Sequence, residues 1–90
     1  MRVMYKEPGE PWQFLIITDT LQDLQDLVDG YIEVVTMDSG WAVVCNEEGR
    51  LRGMEFNCLV HGIAFVGPIV LIGVDGEDFT DMPINPKFWD

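Results

Sequence analysis

Asp19-Thr20-Leu21-Gln22-Asp23-Leu24-Gln25-Asp26-Leu27-Val28-Asp29-Gly30-Tyr31-Ile32-Glu33-Val34-Val35 decides how the rest of the chain folds. Thr20 is a helix-capping residue type, and Asp23 three positions later completes a capping-box-like pair. Leu21, Leu24 and Val28 recur at helical spacing with Leu27 beside them, while Asp and Gln fill the other face. Gly30 stands where a helix ends in a left-handed residue. Directly afterwards, Tyr31 to Met37 is rich in β-branched and aromatic residues and reads as a strand. A short amphipathic helix over 21–29 therefore hands over to a sheet, on which its leucine stripe must pack.

Upstream, Arg2 to Lys6 and Trp12 to Thr18 read as two strands, joined by the turn Glu7-Pro8-Gly9-Glu10-Pro11. Downstream, Trp41-Ala42-Val43-Val44-Cys45 has no polar alternation and reads as a strand buried on both faces. After the turn Asn46 to Gly49, Arg50-Leu51-Arg52 is expected as a short fifth strand with both arginines on one face. Residues 53–62 read as a helical turn or an ordered loop. Ile63 to Val66 and Pro68 to Val74 supply further strands, and Asp75-Gly76-Glu77-Asp78 a polar turn. The expected architecture is one α+β domain over residues 1–90. Its mainly antiparallel sheet of five to six strands carries one short helix on a face. The opening strand–strand–helix–strand–strand order allows a β-grasp-like arrangement.

Sixteen acidic residues against five basic ones give a net charge of −11. That field repels nucleic acid and anionic membrane and favours basic partners. The run from Ile63 to Val74, broken by Gly67, Pro68 and Gly73, is too short to span a bilayer. Met1 to Glu10 lacks the apolar core of a signal peptide, so a cytoplasmic location with two reduced cysteines is the expectation.

Catalytic and metal signals are weak. His61 is the single histidine, with Cys58 three residues before it, but a structural zinc needs four ligands and Cys45 alone remains as a soft donor. Cys45 lies in an apolar run, where a thiol is inert. Asp75, Glu77, Asp78 and Asp81 do not follow the alternating ligand pattern of a calcium loop. The sequence thus predicts no catalytic residues, no metal and no cofactor. Two features point to binding. Arg50 and Arg52, near Asn46 and Asn57, are candidates for a small anion-recognising site. Phe88 and Trp89 are candidates for a partner-binding patch or an anchor docked on the body.

Several of these stretches together resemble a known family. They are Met1-Arg2-Val3, Glu7-Pro8-Gly9, Thr20 to Glu33, Cys45 to Gly53, Phe56-Asn57, Val66-Gly67-Pro68 and Gly76-Glu77-Asp78-Phe79. The chain resembles the domain-of-unknown-function family 3846, whose members are encoded by phages, prophages and conjugative elements. It departs from the family around Asn57, where a Leu-Pro and a basic residue are usual, and over Pro83 to Asp90. The resemblance implies a mobile-element accessory protein and no enzyme activity. Together with the charge, it suggests a non-enzymatic protein that binds a basic host factor or a defence-system component. The alternatives are a module for a nucleotide-like anion and a structural or oligomer-forming module.

Overall fold

A computed structural model describes residues 1–37 and 40–83 of the chain. The elements in order are β1 (Arg2–Lys6), β2 (Gln13–Ile16), α1 (Thr20–Val28), β3 (Ile32–Thr36), β4 (Trp41–Asn46), β5 (Phe56–Val60), β6 (Ile63–Val66), β7 (Ile69–Asp75) and β8 (Asp78–Thr80). The main sheet runs β2-β1-β7-β4-β3, with β8 pairing β7 beyond the end of β1, and β5–β6 forms a separate hairpin. Every strand pair is antiparallel. The fold is α+β as its sequence predicts. The likeness to a β-grasp goes no further than the order of the first elements.

The two apolar runs take the centre. Residues of β4 alternate between faces. Val44 joins Val70 and Ile72 of β7, Val3 and Tyr5 of β1, and Leu24 and Val28 of α1 in one cluster. Trp41, Val43 and Cys45 join Ile69 and Leu71, Val60 of β5 and Phe65 of β6 in another. The sheet is thus sandwiched between α1 and the β5–β6 hairpin. A strand covered on both faces has no solvent side on which to place polar residues, hence the unbroken hydrophobicity of β4 and β7.

Three differences from the sequence reading have clear causes. The inward stripe of α1 is buried Leu24 and Val28 with half-buried Leu27, while Leu21 is 55 % exposed. One turn before Leu24, the inward position belongs to Thr20. Asp19 is the N-cap, and the Asp23 carboxylate accepts the Thr18 and Asp19 N–H groups, so Thr20 lies inside the helix rather than capping it.

The second difference is Arg50-Leu51-Arg52, which is not a strand. Asn46 Oδ1 accepts the Glu48 N–H, and the backbone then closes on itself through Gly49 N–H to Asn46 O, Arg52 N–H to Glu48 O and Met54 N–H to Gly49 O. An asparagine that bonds two residues ahead starts a turn of this kind. The third is β5, which replaces the expected loop. A bulge between Phe56 and Cys58 buries Asn57 and breaks the alternation that marks a strand. The loop between β5 and β6 is His61-Gly62, both at positive φ, the geometry of a two-residue I′ turn.

Leu24 is fully buried and Leu21 is not. Leu24→Ala is expected to cost about 2–5 kcal/mol in urea denaturation, and Leu21→Ala about 0.5 kcal/mol or less.

Candidate functional site

The polar residues singled out by sequence fall at three separate places. Asn46, at the end of β4, is 5 % exposed. Its Nδ2 donates to the carbonyls of Val28 (3.0 Å) and Asp29 (2.9 Å), the last carbonyls of α1. Arg52 joins it there. Its Nη1 donates to Asp29 O (2.8 Å) and its Nη2 to the Asp29 carboxylate (3.1 Å). Carbonyls at a helix C-terminus lack intrahelical partners, and a cation there also meets the negative end of the helix dipole. Asp29, rather than Gly30, takes the left-handed conformation, with φ 63°. Gly30, at φ 151°, is where Asn46 approaches most closely: a Cβ would stand 2.7 Å from its Nδ2. The glycine therefore makes room for the clamp.

Asn57 does comparable work on the opposite side of the sheet. Its Nδ2 donates to Lys6 O and Gly67 O, and its Oδ1 accepts from Lys6 Nζ, tying the β5–β6 hairpin to β1. Arg50 donates from Nη2 to Ala64 O of β6. Asn46 and Arg52 thus meet at the helix end, while Arg50 and Asn57 lie elsewhere, each bonded within the fold. Phe88 and Trp89 lie outside the described residues.

Concavities among the described residues include the following three. A groove of about 300 Å³ between β3–β4 and β6 is lined by Glu33, Cys45, Glu47, Arg50 and Phe65, among others. Inside it the Cys45 thiol faces Glu33 Oε2 at 3.7 Å. Burial first, then the charge and hydrogen bond of Glu33, pushes the thiol up from 9.0 to about 11. At neutral pH it stays protonated, the opposite of an activated nucleophile. Burial also raises Cys58. His61 sits edge-on to Trp41, with centroids 5.3 Å apart. Among the described residues, no group of three or more His, Cys, Asp or Glu is placed to hold a metal ion.

The second concavity, about 480 Å³, lies beside the helix C-terminus and is lined by Gln25, Asp26, Asp29, Gly30, Tyr31 and Glu48. Tyr31 is 69 % exposed there. The third, about 300 Å³, runs between β2 and α1 and is lined by Leu15, Ile16, Ile17, Asp23, Asp26 and Leu27. Neither was visible in the sequence as a site. Their carboxylates belong to an ordinary helix face and a turn until the fold sets them beside an exposed tyrosine or a strand edge.

The charge distribution is lopsided. Of the described acidic residues, all but half-buried Asp23 are exposed. The described basic side chains all bond within the protein: Arg2 to Asp81, Lys6 to Asn57, Arg50 to Ala64 and Arg52 to Asp29.

The model of a family described as Domain of unknown function (DUF3846) matches residues 1–86. The chain belongs to this family. No curated protein and no solved structure matches it significantly. Among the described residues, no helix is long and apolar enough to cross a membrane.

Two outcomes follow from the polar contacts. Asn46→Ala removes the side-chain donor to the buried Val28 carbonyl and the acceptor of the Glu48 N–H, and is expected to cost about 1–3 kcal/mol by urea denaturation. The raised Cys45 pKa favours the folded state while the thiol is neutral. That contribution is complete below pH 9 and is lost as pH rises from 9 towards about 11. Stability measured across this window should fall less steeply in Cys45→Ala than in the parent.

Proposed function

We propose that this chain is a non-enzymatic binding protein, carried by a phage or another mobile element. In this reading it acts in the cytoplasm of a bacterial host and docks its acidic surface on a basic host factor or defence-system component. The observation that carries the reading is the charge distribution. All the described carboxylates but half-buried Asp23 face solvent, whereas the described cations are engaged in holding the fold together. A body charged in this way accelerates encounter with a basic surface and rejects nucleic acid. The Asp26, Asp29 and Glu48 cup around Tyr31 would offer a lysine or arginine both carboxylates and an aromatic face. Recognition of a nucleotide-like anion has less support, because Asn46, Arg50, Arg52 and Asn57 already direct their donors to backbone carbonyls.

An affinity capture from host lysate at two salt concentrations tests the reading. The expected result is a basic protein retained at about 50 mM salt and lost at several hundred millimolar, where the Debye length falls to a few ångströms. Asp26→Asn with Glu48→Gln should weaken retention without changing the melting temperature by more than a few degrees. Retention that is indifferent to salt would overturn it.

A further inference from the structure

The outer edge of β2 offers a built place for such a partner. Met1 and Ile17 exchange N–H···O bonds across the β1–β2 ladder, each 2.8 Å. In an antiparallel pair, hydrogen-bonded and non-hydrogen-bonded positions alternate. With the register Arg2↔Ile16, Val3↔Leu15, Met4↔Phe14 and Tyr5↔Gln13, the bonded positions after Met1–Ile17 are Val3–Leu15 and Tyr5–Gln13. The backbone N–H and C=O groups of Phe14 and Ile16 therefore point away from β1. Among the described residues, β2 has no second neighbour.

The same two residues expose their side chains. Phe14 is 54 % and Ile16 63 % exposed, on the face they share with Met4. Edge strands are commonly guarded by charge, proline or a bulge. Gln13-Phe14-Leu15-Ile16 has none of these, in a chain of net charge −11. On the other face of β2, the groove against α1 is apolar at its base, with Leu15, Ile17 and Leu27, and carries the carboxylates of Asp23 and Asp26.

We infer that β2 accepts an extended segment of a basic partner protein as an added antiparallel strand. The segment alternates apolar and basic side chains. Its apolar residues cover Phe14 and Ile16, and its lysines or arginines turn to the groove of Asp23 and Asp26. This inference rests on the acidic-binder reading and gives it a place and a mode. Main-chain bonds would supply affinity and alternate side chains specificity. Charge complementarity selects this occupant over a second copy, which would bring two sets of Asp23 and Asp26 towards each other.

The test uses the whole chain and the synthetic peptide Lys-Val-Lys-Val-Lys-Val-Lys. In an added antiparallel strand, residues bonded to Phe14 and Ile16 share their face, so the valines supply the bonding N–H groups. N-methylation of the valines removes those donors and leaves every charge in place. The expected result is binding weakened about tenfold or more by N-methylation. The unmodified peptide should slow amide exchange at Phe14 and Ile16, and Ile16→Lys should abolish binding with the melting temperature little changed. Equal binding of the N-methylated peptide, or protection elsewhere on the protein, would overturn the inference while leaving a salt-dependent acidic binder intact. Phe14 and Ile16 amides already protected without peptide would also overturn it, since another segment or a second copy would then hold the edge.

Discussion

The end of the helix is the constraint on which the rest depends. α1 must stop within one residue of Val28 and deliver the chain to β3 at the edge of the sheet. Its last carbonyls would otherwise be left without partners beside the core. Asn46 meets that need from β4, the strand that pairs with β3, so one side chain fixes the helix, the edge strand and the following turn together. Arg52 reaches the same carbonyl only because the turn that Asn46 starts curls residues 47–54 back towards the helix. A polar residue that is this fully bonded strengthens the fold, and the loss of one bond exposes several groups at once.

The same logic governs the opposite face. Asn57 secures the β5–β6 hairpin to β1 and to Gly67, and so closes the second cluster around Trp41, Phe65 and Leu71. Two buried asparagines, one on each side of a sheet whose centre is apolar, hold the three layers in register. Hydrophobic burial supplies the drive to collapse, while the asparagines specify which carbonyls end up beside which strand.

Much of this was legible in the chain. The helix, the first hairpin, the doubly buried β4 and the presence of a strand at β7 follow from period and apolar run length, because those patterns report directly on which faces meet water. The turn at Arg50-Leu51-Arg52 was not legible. Alternation over three residues is too short to compete with a side-chain bond from Asn46. β5 was hidden by the bulge that buries Asn57. The candidate anion residues stand out in an acidic chain, yet their spacing does not reveal that the fold turns each of them to a backbone carbonyl. The exposed edge of β2 needed the tertiary structure, since an apolar strand over Trp12 to Thr18 does not by itself say whether it lies at the centre or the edge of the sheet.

The account therefore divides the polar residues into two sets. Asn46, Asn57, Arg50 and Arg52 hold the molecule together, and the surface carboxylates with the β2 edge meet the outside. Thermal unfolding in the presence of millimolar phosphate or nucleotides tests that division most directly. A fold that already holds Arg50 and Arg52 against its own carbonyls presents no built anion site, so its melting temperature should stay unchanged. A concentration-dependent rise that disappears in the Arg50→Ala, Arg52→Ala double variant would contradict the account and return those arginines to a ligand site.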